Sequence, residues 1–200
     1  MRSPAGNGST AAAMRLFKTD IKEKYSEDIA PETVSAYPDL FDRLFLIDNR
    51  LPFSNRLRSG TRVKKAEKRH LSDPSLACAL LGATSEKLIN DPETFGFLLE
   101  ALCERDLKIC TESMGAQLYH YQDYANNETD AVIEQPIGDW CAIEIKPGAN
   151  RMDKAKRIRN RLQAEGSRTP KALCVICGLC NAAYRRTDGA CAAPVTALGL

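Results

Sequence analysis

The run from Glu128 to Lys146, ETDAVIEQPIGDWCAIEIK, limits the fold more than any other stretch of the chain. Apolar and β-branched residues flank the turn-forming PIGD, which predicts two antiparallel strands joined by a tight loop. Charges interrupt both strands: Asp130, Glu134, Glu144 and Lys146 stand among Val132, Ile133, Ile143 and Ile145. Side chains alternate along a strand. Trp140, Ala142, Glu144 and Lys146 therefore share one face, and Asp130, Val132 and Glu134 share a face on the neighbouring strand. Whether these two faces coincide is a matter of register. Opposed residues have position numbers of constant sum. An even sum, produced by a loop of three or five residues, brings Asp130 to the side of Glu144 and Lys146. A four-residue loop sends it to the other side unless a bulge restores it.

In the favourable register two carboxylates converge beside one ammonium. Such oxygens suit a hard divalent cation, Mg²⁺ above all. Mg²⁺ would polarise a phosphodiester and activate a bound water. Lys146 would orient that water or stabilise developing charge. Glu100, on a helix upstream, would bind the metal or support its ligands. The competing reading is a buried ion pair of Lys146 with Asp130 or Glu144, an arrangement that is seldom net stabilising.

The rest of the chain supplies the context. Residues 1–20 are rich in Gly, Ser and Ala and read as disordered, with Met14 an alternative start. Residues 21–67 read as a small helical region. Leu40, Leu44 and Ile47, with Phe41 and Phe45, recur at helical spacing, and Pro38 breaks or kinks the pattern. The stretch SNRLRSGTRVKKAEKRH concentrates base, including Lys64 and Lys65. It reads first as a solvated loop and second as a phosphate-contacting arm. Asp73-Pro74 and Asp91-Pro92 are two helix starts, and Gly82 and Gly115 the matching stops. Phe95, Leu98, Leu99 and Leu102 give the second helix a core stripe. Beyond Gly115 the pattern changes to strands: AQLYHYQD, TDAVIEQ and WCAIEIK. A basic helix follows at NRMDKAKRIRNRLQAEG, then the apolar strand KALCVICGL and a hairpin signal at Asp188-Gly189. The order is α-β-β-β-α-β with an added terminal hairpin.

Composition is consistent with one domain, or one and a small appendage. Of 200 residues, 44% are hydrophobic and 27% charged, enough for a core. A net charge of +2 points to no partner by itself. The start of the chain lacks the apolar segment of a signal peptide, and no run approaches a membrane-spanning length. The eight cysteines are therefore expected as thiols in a cytoplasmic protein.

Four stretches together carry a family resemblance: DPSLACALLGATSEKLINDPETFGFLLEALCERDL, LYHYQDYANNETDAVIE, WCAIEIKPGAN and ALCVICGLCNAAYRRTDGACAAPVTAL. They resemble the domain of unknown function at the C-terminus of many bacterial and archaeal AAA-type ATPases, which is itself similar to PD-(D/E)XK nucleases. The resemblance covers about residues 68–200. Upstream, ETVSAYPDLFDRLFLIDNRLPF resembles the winged-helix-like linker of those proteins. The resemblance implies an α/β, restriction-endonuclease-like domain. Asp130 takes the nuclease aspartate, Glu144-Ile145-Lys146 the (D/E)XK, and Glu100 the glutamate of the leading helix. It also implies DNA or an ATPase module as partner. The sequence has no GxxxxGK[ST] motif, so no ATP site is expected in this chain. Pro147 stands where the family continues its strand with an apolar residue.

Other features have blander first readings. Cys174, Cys177 and Cys180 form C-x₂-C-x₂-C, but two lie inside an apolar strand, where three-residue spacing points them to opposite faces. They read as core thiols rather than zinc or cluster ligands. His120 reads as a strand residue and Trp140 as core at the turn. Lys154, Arg157 and Arg161 form a basic ridge, solvated by default and able to follow a nucleic-acid backbone.

Overall fold

The structure, a computed structural model, describes residues 39–54, 67–122, 128–148, 169–187 and 189–198. It divides into two compact units. The first takes the described residues up to Arg50 and those from 67 to Leu98; the second takes the rest of the described chain.

In the first unit, residues 39–43 are helical. Phe45, at φ 56°, ends the helix in the left-handed region, and its N–H bonds back to the Asp42 carbonyl at 2.9 Å. The helical spacing through Ile47 therefore stops short, and Ile47 opens a strand instead. Strands β1 (Ile47–Arg50) and β2 (Lys68–Leu71) pair antiparallel with Asp48 opposite His70. Helix α1 (Pro74–Leu81) follows as its caps dictate. The Asp73 carboxylate accepts the Ser75 N–H at 2.7 Å, and Gly82 closes the helix at φ 59°. A second short helix, α2 (Ser85–Asn90), has no counterpart in the sequence reading; Thr84 caps it by accepting the Lys87 N–H at 3.3 Å.

Helix α3 (Pro92–Ser113) starts at Asp91, whose carboxylate takes both the N–H and the hydroxyl of Thr94. Those bonds hold the Asp91 carboxyl below the usual carboxylate range. The helix ends at Gly115, φ 66°, with the Ala116 N–H bonded to the Thr111 carbonyl at 2.9 Å. Its fully buried stripe lies further along than the sequence suggests: Leu99, Cys103, Glu104, Leu107 and Thr111.

The second unit is built on a six-stranded mixed sheet. Strands β3 (Gln117–Gln122), β4 (Glu128–Glu134) and β5 (Trp140–Lys146) form an antiparallel meander. Strand β6 (Ala172–Cys177) then runs parallel to β5. A parallel pair needs a long crossover; the helix expected to provide it falls at residues 149–168, outside the described residues. The terminal hairpin is β7 (Tyr184–Arg185) and β8 (Cys191–Pro194), and β8 lies between β6 and β7 in the spatial order β3-β4-β5-β6-β8-β7. The core on one side of the sheet gathers Phe53, Tyr121, Val132, Trp140, Ala142, Leu173, Val175 and Cys177. The order from α3 to β5 is thus the expected α-β-β-β, within a mixed α/β architecture.

Candidate functional site

The register of β4 on β5 decides the site. Glu134 lies opposite Trp140 and Ala131 opposite Ile143, a constant sum and an even one. The loop at 135–139 sets it. The Gln135 N–H bonds to the Asp139 carbonyl and the Gly138 N–H to the Gln135 carbonyl, both at 2.8 Å. Pro136 supplies the fixed φ of the turn, and Gly138, at φ 80°, the left-handed residue that follows. Asp130 therefore stands on the side of Glu144 and Lys146.

The pairing of the two strands ends at Ala131 and Ile143, although both strands continue. Near this point β4 also shifts register against β3, between Tyr119 and Tyr121. Where β4 leaves β5, the Asp130 side chain replaces the missing ladder: its Oδ2 accepts the Ile145 N–H at 2.6 Å. The same oxygen accepts Lys146 Nζ at 2.8 Å.

Lys146 Nζ also reaches Glu144 Oε2 at 3.1 Å and the Ile145 carbonyl at 2.8 Å. An ammonium has three N–H donors, and three oxygens surround this one. Glu144 is fully buried and Asp130 nearly so. Burial pulls the Lys146 ammonium toward losing its proton, but Asp130 and Glu144 more than offset this and hold its pKa above the usual lysine value. Pro147, just past the end of β5, sacrifices no bond within the strand. Its carbonyl takes the Leu179 N–H at 2.9 Å, beside the bond from the Gly178 N–H to the Lys146 carbonyl at 3.0 Å.

Helix α3 brings further acid. Glu104 is 2% exposed and Glu100 half-buried. Between them the Cys103 thiol is pushed up to about 12, by burial first and then by Asp106, Glu104, Asp130 and Glu100. The helix acids and Asp130 therefore share one electrostatic neighbourhood. Glu104 was missed by the sequence reading, which singled out Glu100. The signal for it was its spacing, four residues after Glu100 and three before the buried Leu107. Among the described residues no three His, Cys, Asp or Glu side chains are gathered so that they could hold a metal ion.

The domain of unknown function DUF4143 matches residues 95–198, just over half of the chain. The chain belongs to this family. A second domain of unknown function, DUF8612, matches residues 10–87. No curated protein and no solved structure matches the chain.

The DUF4143 region includes every member of the acid–lysine group. It also includes His120 and Trp140, both buried. The His120 N–H bonds to the Leu51 carbonyl at 3.1 Å and its carbonyl takes the Phe53 N–H at 2.7 Å, so its backbone joins β3 to the segment before it. Trp140 packs on Phe53 with ring centroids 5.2 Å apart. The C-x₂-C-x₂-C run divides: Cys174 stands opposite Cys191 of β8, whereas Cys177 stands opposite Lys146 of β5. All eight cysteines are free thiols. Lys154, Arg157 and Arg161 of the basic ridge, and Lys64 and Lys65 of the upstream arm, lie outside the described residues. No helix among the described residues is long and apolar enough to cross a membrane.

Proposed function

We propose that this chain is an ATPase-associated module of nuclease-like design that is vestigial as a phosphodiesterase, so that it binds rather than cuts. The membership in DUF4143 supports the association with AAA-type ATPases. The α-β-β-β order and the Asp130/Glu144/Lys146 group support the PD-(D/E)XK-like frame, with a winged-helix-like region before it.

The observation that carries the non-catalytic reading is the Lys146 ammonium. It donates hydrogen bonds to Asp130 Oδ2 and to the Ile145 carbonyl, both at 2.8 Å, and lies 3.1 Å from Glu144 Oε2 in an ion pair. An electrostatic catalyst needs a donor directed at the reacting oxygen, and here the ammonium is hydrogen-bonded twice and charge-paired twice within its own strands. The donor set as placed also does not fit Mg²⁺. That ion asks for near-octahedral oxygen ligation, whereas Asp130 and Glu144 close around an ammonium, and Asp130 Oδ2 already takes a backbone N–H. The role left to the module is docking: to an ATPase module through the folded domain, or to DNA through the basic segments at 56–69 and 154–161.

A second reading is an active Mg²⁺-dependent nuclease, favoured by the strand divergence that gathers Asp130, Glu144 and Lys146 at one point. Cleavage of single- and double-stranded DNA and RNA, with Mg²⁺ and with Mn²⁺, decides between the two. The vestigial reading expects no cleavage by the wild type or by Lys146→Ala. Cleavage by the wild type that Lys146→Ala abolishes establishes the nuclease instead. Nucleic-acid binding that weakens with rising salt, and weakens further in Lys154→Gln/Arg157→Gln/Arg161→Gln, identifies DNA or RNA as the docked partner. Binding insensitive to both leaves the protein partner.

A further inference from the structure

The two thiols at the end of β6 are arranged as a pair. Cys177 is the last residue of the strand and is fully buried in the core cluster; Cys180 packs on the rim of that cluster and is half-buried. Two turn residues, Gly178 and Leu179, separate them. The Cys180 thiol points back into the turn, 3.9 Å from the Cys177 carbonyl oxygen. Burial first, and then the neighbouring Cys180 thiol, push the Cys177 thiol up to about 11, against the pull of Arg186.

The turn between them is fixed from two sides. Its N–H groups are bonded to the Lys146 and Pro147 carbonyls at 3.0 and 2.9 Å. Above Gly178 there is no room for a side chain, since a Cβ there would meet Leu99 Cδ2 at 2.9 Å. Main-chain bonds independent of the thiols thus hold the turn, and the Cys180 thiol folds back over it toward the residue that carries the other sulfur.

We propose that Cys177 and Cys180 are a peroxide-reactive dithiol that closes into an intramolecular disulfide, with Cys180 the sulfur attacked first. Cys180 is the member solvent reaches, whereas Cys177 is sealed in the core. The Cys180 thiolate attacks one oxygen of a hydroperoxide. An S–O bond forms, the O–O bond breaks, and the leaving alkoxide or hydroxide takes a proton, so that sulfur is oxidised to the sulfenic acid and the peroxide reduced to alcohol or water. The Cys177 sulfur then attacks the Cys180 sulfur. The S–S bond forms, the S–O bond breaks, and the departing hydroxide leaves as water with the Cys177 proton. The high value of the Cys177 thiol makes this second step the slow one. The bond formed spans the turn whose N–H groups meet the Lys146 and Pro147 carbonyls, so oxidation fastens the backbone at the end of β5.

The test is stoichiometric hydrogen peroxide on the full chain, followed by thiol blocking, proteolysis and mass spectrometry, with dimedone present in a parallel arm to trap sulfenic acid. The wild type is expected to lose two hydrogens within the peptide holding Cys174, Cys177 and Cys180. Cys180→Ser is expected to lose none there. Cys177→Ala is expected to carry dimedone on Cys180, at a level at least tenfold above the wild type. Loss of two hydrogens that persists in Cys180→Ser overturns the proposal by assigning the bond to other thiols. Dimedone on Cys174 or Cys191 in place of Cys180 overturns the order of attack. Cys180→Ser alters only the rim residue, so its result stands even where Cys177→Ala folds poorly.

Discussion

The two ends of β5 are built by different rules. At the Trp140 end the strand is in register with β4, the backbone ladder is complete, and the side chains are apolar: Trp140 lies against Phe53 and shares a core with Val132, Ala142 and Leu173. At the Lys146 end β4 has left, and side-chain oxygen does the work of backbone. Asp130 accepts the Ile145 N–H that a paired strand would have taken, and the charge it brings is matched by Lys146. The difference teaches why charges can interrupt a β-branched run. A buried N–H must find an acceptor. Where the sheet diverges, a carboxylate is the nearest one, and it in turn requires a cation.

The sharpest way to break this comparison is to remove one anchor from each end. Lys146→Met takes the ammonium from beside two buried carboxylates, a loss expected to cost about 3–5 kcal/mol. Trp140→Ala opens a cavity and is expected to cost a similar amount, about 3–5 kcal/mol. Their pH profiles separate them. The pKa of Lys146 is raised in the fold, so its contribution is complete below the ordinary value of about 10.5 and is lost as pH rises through the higher folded value. Denaturant unfolding of wild type and variants from pH 7 upward measures this. The Lys146→Met deficit should shrink in strong alkali, and the Trp140→Ala deficit should stay flat. A Lys146→Met deficit that does not change with pH removes the ion group from the account.

Gly178→Ala tests the Lys146 end from the neighbouring strand. The added Cβ would approach Leu99 Cδ2 to 2.9 Å. Overpacking of this kind costs about 1–3 kcal/mol. The double variant Gly178→Ala/Leu99→Ala should recover less than Leu99→Ala alone would lose, but the coupling between the two sites should exceed about 0.5 kcal/mol. Additive effects in the cycle show that the turn and the helix do not touch as described.

The sequence carried both Pro-led helix starts because each rests on local chemistry, and it reduced the placement of Asp130 to the parity of one loop, which it left open. The structure settles that parity, with Glu134 opposite Trp140, and parity puts Asp130 beside Glu144. The sequence did not carry the divergence of β4 from β5, because a strand that leaves its partner has the same alternation as one that stays. It missed Glu104 for a related reason: a glutamate among apolar residues on a helix reads as solvent-facing unless the depth of the helix is known. Phe45 shows the limit of periodicity. Its spacing from Phe41 is helical, yet at φ 56° it ends the helix, and Ile47 begins a strand. The cysteine spacing gave opposite faces for Cys174 and Cys177 correctly, whereas the contacts of each with Cys191 and Cys180 depend on β8 and on a turn that spacing alone does not place.

The smallest effect sharpens the comparison most, since it places a carboxylate at the apolar end. Glu134 lies opposite Trp140, and burial alone raises its pKa. It also contributes, after burial, to the raised value of the Tyr119 phenol. A carboxylate whose folded pKa is raised opposes folding when ionised, and that penalty fades as pH falls through the folded value. Glu134→Gln should therefore stabilise the protein near neutral pH and make no difference in acid. Glu134 is half-buried, so the solvent that still reaches it screens the effect and keeps the gain within about 0.5 kcal/mol. The Tyr119 phenol, followed by its ultraviolet absorbance, should titrate at lower pH in the variant. Destabilisation by Glu134→Gln at neutral pH would mean that this carboxylate has a cationic partner of its own, and that the two ends of β5 follow one rule after all.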